Sequence, residues 1–253
     1  MAHTRVHRRT QHRRDRQYQP RHTRFVTFPD SEESPARSKR DANRAELRTR
    51  LLDSAEELFA DRGYFGVGVR DITDRAHTRL ASVSEQFGGK EALFQAVLAR
   101  RIRPLNDDRR AHLSALPTRG TQPERLRALI EAFTEPMRRR AGAPGWDNYF
   151  RLIAQLSNSG NPIGRLIVDD FNAIAIDFMT RMHALFPHAN EAEIHDAYLH
   201  LVAAAMHTYS NNLRLDSLTE GRMHARDMDE RHRALLRFAQ GGITATVTRS
   251  ASG

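Results

Sequence analysis

The chain has 253 residues, 39% of them hydrophobic and none of them cysteine, and a formal charge of +9. That length accommodates one large or two modest hydrophobic cores, and the lack of cysteine excludes a disulfide framework and thiolate metal sites. No run approaches the roughly 18 apolar residues a membrane helix needs, and the arginines at the start lack the apolar stretch of a secretory signal, so a cytoplasmic protein with no membrane partner is expected.

Over residues 1–44, twelve Lys or Arg stand against five Asp or Glu, which places +7 of the +9 there. The opening "HRRTQHRRDRQYQPRHTR" holds too few apolar residues to offset the entropy of ordering its backbone. Residues 1–40 are therefore expected to form a disordered basic arm. Such an arm either neutralises phosphates with release of counterions or is simply a solvated tail.

From Asp41 onward, apolar residues recur at helical spacing. Between Asp41, read as an N-cap, and Gly63, read as the residue that ends the helix, Leu47, Leu51, Ala55, Leu58 and Phe59 form one stripe. "VRDITDRA" and "ASVSEQF" follow as two short helical segments across a tight turn at His77, Thr78 and Arg79. "KEALFQAVLARRI" begins a longer helix that Pro104 is expected to bend or restart. Two short helices braced by longer ones make a helix-turn-helix, whose second helix enters the DNA major groove. Val83 and Phe87, four apart, would face inward and leave Arg79, Ser82, Ser84, Glu85 and Gln86 outward, with Arg70 on the preceding segment. Arg can fork onto guanine, Gln can pair with adenine, Ser can serve either base and Glu can accept from cytosine. Lys90, after two glycines at a helix start, suits a phosphate.

These residues resemble the DNA-binding module of TetR-type transcriptional regulators. "LFADRGYFGVGV", then "VRDI" with Ala76 before the turn, then "FGGKEAL" from Phe87 to Leu93 match that module in order and spacing over about residues 44–103. There are three departures. Gly68 stands where the family has a capping Thr or Ser, His77 replaces the turn glycine, and Ser84 and Glu85 replace an aromatic or histidine pair. The resemblance implies a homodimer on an inverted repeat in double-stranded DNA, repressing transcription under the control of a small apolar effector. Segments "LARRIRPLNDDR" and "PGWDNYFRLIAQ" are also similar to the acyl-ligand-sensing branch. Because Glu85 brings negative charge toward DNA, the alternative is a degenerate regulator or adaptor with weak DNA binding.

Residues 41–103 are thus assigned to DNA binding and 104–253 to effector binding and dimerisation, in an all-α fold whose second part is an antiparallel helical domain. In the second part, Leu126, Leu129, Ile130, Phe133 and Met137 share one helix face, as do Ile163, Ile167, Phe171, Ile174, Phe178, Met182 and Leu185. "NEAEIHDAYLHLVAAAMHTYSNNL" carries two stripes, Ile194, Tyr198, Leu201 and Ala205 against Leu199, Val202, Met206, Tyr209 and Leu213, so it needs two burial partners. The last helix offers Met228, Leu235, Ala239, Gly242, Ile243 and Thr246. In the family resemblance, the final two helices form the dimer interface.

An effector cavity is expected among bulky side chains of the middle helices. Trp146, Tyr149, Phe150 and Ile153 would supply one wall, Phe171, Ile174 and Phe178 a second, and Tyr198, Val202, Met206 and Tyr209 a third. Ordinary core packing would account for any one of them equally well. His195, His200 and His207 have spacings that a metal site could use, but neither HExxH nor a compact carboxylate cluster accompanies them. Phosphate-cradling glycine loops and a GxSxG nucleophile motif are absent. No enzyme, metal or cofactor is expected.

Overall fold

Leu51, Ala55, Leu58 and Phe59 return to one side of a helix every three or four residues, and that side is buried in α1 (Pro35–Arg62). The computed structural model describes residues 35–157 and 168–247. Met1–Asp41 form one unit, of which only the start of α1 is described, and Ala42–Gly253 form the other. The basic arm lies, up to residue 34, outside the described residues. Asp41 does not cap α1 as expected; the helix already begins at Pro35, a residue whose fixed φ suits a first helical position. Gly63 does end it, at φ +67, donating its N–H to the Phe59 carbonyl at 2.9 Å.

The helices α2 (Val69–Arg75) and α3 (Ala81–Phe87) follow, joined through Ala76 to Leu80. His77 takes φ +51 in that turn, a left-handed conformation in which His is among the more common non-glycine residues. Gly68 has no side chain to cap α2, and the Asp71 carboxylate instead accepts from the Gly68 N–H at 2.7 Å. Ile72 and Val83 are fully buried and hold the two short helices against Phe59 and Phe94, whose rings meet edge to face at 5.0 Å.

Helix α4 (Lys90–Ser114) runs through Pro104 without interruption, against the expectation of a bend or restart. Leu98, Ile102 and Leu105 continue one buried stripe across the proline, and tertiary packing there outweighs a proline cost of about 3 kcal/mol. The remaining helices are α5 (Gln122–Arg138), α6 (Trp146–Ser157), α7 (Val168–Leu185), α8 (Glu191–Tyr209), the short α9 (Arg214–Leu218) and α10 (Met228–Val247). Capping boxes open α5 (Thr121 with Glu124) and α8 (Asn190 with Glu193). All five predicted core residues of α5 are buried, as are Ile174, Phe178, Met182 and Leu185 of α7; Ile163 and Ile167 lie outside the described residues. Helix α5 packs on α4, α7 and α10, and α8 packs on α6, α7 and α10. Among the described residues there is no strand, and no helix is long and apolar enough to cross a membrane.

Candidate nucleic-acid interface and internal cavity

Along α3, Val83 is buried in the core while Ser84 and Glu85 are exposed and Gln86 is half-buried, and Arg79 in the preceding turn is exposed. Arg70 of α2 is exposed as well. Ser82 corrects the sequence expectation: it is only 1% exposed, and its hydroxyl lies 2.8 Å from that of Thr78, so it fastens the start of α3 and faces away from any groove. Two of the candidate reading residues, Arg79 and Glu85, are engaged with each other. Arg79 donates two hydrogen bonds to the Glu85 carboxylate, at 2.9 and 2.8 Å, with side chains 72% and 47% exposed. The ammonium of Lys90 stands 4.2 Å over the Tyr64 ring, and partial burial lowers its pKa. Arg48 of α1, which sequence reasoning missed, donates to the Gln86 carbonyl at 2.8 Å and lies over the Phe87 ring, adding a cation at the end of α3.

Below this surface, Glu56 of α1 is 2% exposed and receives both Arg100 and Arg101 of α4, the latter through two bonds of 2.8 Å. The clamp fixes the register of α4 against α1. Arg101 and Arg140 both lie over Trp146, at 5.4 and 4.9 Å. Further along, the Tyr209 hydroxyl is 2.6 Å from His232 Nδ1, and His232 Nε2 is 3.6 Å from Glu135, tying α8, α10 and α5 together. Burial pushes the Tyr209 hydroxyl well above its ordinary pKa and holds His232 below its own.

A cavity of about 860 Å³ opens between α4, α5, α6, α7 and α8. Ile153, Phe171, Ile174, Tyr198, Val202 and Met206 line it. Trp146, Tyr149, Phe150, Phe178 and Tyr209 do not. Trp146 is held between guanidinium groups, and Tyr149 and Phe150 pack into a ring cluster that ends at Tyr209. Tyr209 itself is bound to His232, and Phe178 is fully buried, its ring against those of Phe133 and Tyr198.

Sequence reasoning also missed Arg109, which lines the cavity at 2% exposure. Its Nε donates to the Phe133 carbonyl at 3.0 Å, its Nη1 donates to Asn106 Oδ1 at 3.1 Å, and its guanidinium carbon lies 3.9 Å over the Phe133 ring. Its Nη2 has no hydrogen-bond partner, and among the described residues no carboxylate pairs with it. A signal was present, because Arg109 falls four residues after Leu105 and four before Leu113, on the buried stripe of α4. Elsewhere, Phe238 of α10 is 69% exposed between two shallow grooves floored by small residues such as Ala204 and Gly242. His195 turns back to its own helix at Glu191, and no group of acidic or histidine residues among those described is placed to hold a metal.

A helix-turn-helix braced by a long helix is the architecture of a DNA-binding transcriptional regulator. Comparison with known proteins agrees. The description "Bacterial regulatory proteins, tetR family" matches residues 51–97, and "Tetracyclin repressor-like, C-terminal domain" matches residues 131–242. The chain belongs to the TetR family of transcriptional regulators. It is 39% identical over 105 residues to the HTH-type transcriptional activator FasR of Mycolicibacterium smegmatis, covering 40% of this chain and 47% of FasR. It is 28% identical over 130 residues to the HTH-type transcriptional repressor Rv3405c of Mycobacterium tuberculosis, covering 51% of this chain and 56% of that one. The chain thus spans about half the length of the curated relatives it matches. FadR from Bacillus subtilis, solved with stearoyl-CoA, shares the fold over 77% of this chain and 98% of its own, at TM-score 0.50 and 13% identity.

Proposed function

We propose that the protein is a dimeric regulator that reads an inverted repeat with α3 and releases it when a small molecule fills the cavity. The observation that carries this is the position of α4, whose first turns brace α3 and whose later turns wall the cavity. Arg79, Ser84, Glu85 and Gln86 supply base contacts in this reading, and Arg70, Lys90 and Arg48 supply phosphate contacts. Residues 41–103 then serve as the reading domain and 104–253 as the effector and dimer domain. The exposed Phe238 and the small-residue grooves beside it favour a seam in which α8 and α10 meet their copies about a two-fold axis, which the operator mirrors. The output is repression where the operator overlaps a promoter.

Selection of bound duplexes from a random pool, with sedimentation of the complex, tests the proposal. A two-fold-symmetric site carrying one dimer is the expected result. A monomer at micromolar concentration, or no enriched sequence, refutes it. One observation favours a second reading: the mutual neutralisation of Arg79 and Glu85 is what an adaptor that had given up DNA reading would retain. Dimer formation with no enrichment would select that reading.

A further inference from the structure

The cavity is mostly apolar, walled by Phe133, Ile153, Phe171, Ile174, Val202 and Met206. The exposed His207, Asn212 and Arg214 are also among its lining residues. At the buried end stands a single cation with an open donor, Arg109. A buried guanidinium without a counter-charge is costly to keep, since an uncompensated ion in a low-dielectric interior loses several kcal/mol of hydration. The Phe133 ring and two neutral acceptors, the Phe133 carbonyl and Asn106, offset part of this and carry no charge to balance it. Desolvation pulls the Arg109 pKa down to about 10, still high enough to keep the group charged near neutral pH.

We infer that the effector is an apolar organic acid whose single carboxylate pairs with Arg109 at the closed end of the cavity, its hydrocarbon body running toward Arg214. This rests on the effector reading of the cavity proposed above and names the ligand class. Three properties of the site select a carboxylate. Its charge of −1 balances one cation, whereas a phosphate monoester would bring a second negative charge to a site where, among the described lining residues, no second cation stands at that depth. One of its oxygens can accept from Nη2, the donor that the Phe133 carbonyl and Asn106 leave unused. Tyr198, on the same cavity wall, is kept protonated by burial and so can donate but not repel. A thioester of coenzyme A fits poorly, because an acyl tail lying inward leaves Arg109 uncompensated while the charged phosphates remain outside.

Calorimetric titration of the full chain with octanoate, decanoate and dodecanoate, each beside the alcohol and the coenzyme A thioester of equal length, tests this. At least one acid is expected to bind about tenfold or more tighter than its alcohol, the ratio that about 1.4 kcal/mol gives. Arg109→Met is expected to erase that preference while the alcohols still bind and the melting temperature holds or rises, since a buried unpaired ion has been replaced by a hydrophobe. Arg109→Lys is expected to keep a reduced preference, having the charge without the bonds to Phe133 and Asn106 that position it. Equal binding of acid and alcohol by the native chain overturns the inference and leaves the effector cavity standing. So does acid preference that survives Arg109→Met, or tight binding of thioesters alone. If no acid, alcohol or thioester binds, the effector reading falls with it. Should Arg109→Met not fold, the comparison of acid with alcohol on the native chain decides alone.

Discussion

Glu85→Gln separates a reading face that is self-neutralised from one that is free. In the unbound protein, Glu85 holds Arg79 through two short bonds, so the two side chains together present no net charge to DNA. The pair is exposed, and pairs of that kind contribute only about 0.2–1 kcal/mol to folding, so the melting temperature should hardly move. On random DNA the effect is larger. Freeing Arg79 saves up to about 1 kcal/mol of pair-breaking per protomer, which for a dimer is at most about a thirtyfold gain in affinity. Each newly engaged phosphate steepens the dependence of log K on log salt by about 0.9, hence by roughly two for a dimer. On the selected operator the sign reverses if Glu85 accepts from a cytosine, with a loss of about 1–3 kcal/mol per half-site. Fluorescence anisotropy of a labelled operator and a scrambled duplex, across a salt series, reads both quantities. Unchanged affinity and slope on the scrambled duplex would show that the pair does not restrain Arg79, and would refute the reasoning.

Glu56→Ala leaves Arg100 and Arg101 facing a 2%-exposed void and should cost about 3 kcal/mol in urea unfolding, the lower end of the range for a broken buried pair because both arginines retain some solvent; a loss below about 1 kcal/mol would contradict the clamp. Ser82→Ala should cost about 1 kcal/mol of stability through the lost Thr78 bond and leave sequence preference intact, so a changed preference in selected sites would return Ser82 to the reading face. His232 is held below its ordinary pKa, so the unfolded chain binds the proton more readily and stability falls as pH drops below about 6.5. Glu135 is also held below its ordinary value, chiefly by its bond to Arg138, and adds a second loss as pH falls below about 4.5. Melting curves from pH 8 to pH 4 check this, and His232→Gln should flatten the first step; an equally steep step in that variant would place the proton elsewhere.

The reading unit was legible because its constraints are local. Val83 and Phe87 fall four apart on α3, and His77 takes the left-handed conformation in the turn between the two short helices. The errors arose where a tertiary neighbour decides. Ser82 is adjacent to Val83 on a seven-residue helix, and only the packing of the preceding turn against it closes its side of α3. Arg109 sits within "LNDDRRAHL", a segment whose charge masks the Leu105 and Leu113 stripe that takes it inward. The aromatic residues of 146–150 carried no sign of whether they faced a cavity or each other. Arg101 of α4 beside Trp146 and the His232 partner of Tyr209 settled that, both contributed by helices distant in sequence.

Helix α4 is where the proposed reading and sensing functions meet. Lys90 at its first position touches Tyr64 beside the turn after α1, Arg100 and Arg101 lock its middle to Glu56, and Arg109 reaches the cavity. Nineteen residues separate Lys90 from Arg109, on the order of 28 Å of continuous helix at about 1.5 Å per residue. A rigid rod of that length turns a small tilt at one end into a displacement at the other, and a dimer must present both copies of α3 at one helical-turn spacing. The Glu56 clamp lies about midway and acts as the fulcrum. Pro104 lies between that fulcrum and Arg109, where it removes one backbone hydrogen bond and softens the helix on the cavity side. A carboxylate drawn to Arg109 therefore pulls first on the softer segment. Its effect on DNA depends on whether the clamp passes the tilt onward, so weakening the clamp should uncouple ligand from operator before it abolishes the binding of either. Because coupling is reciprocal, the same variant should bind ligand equally well with and without operator.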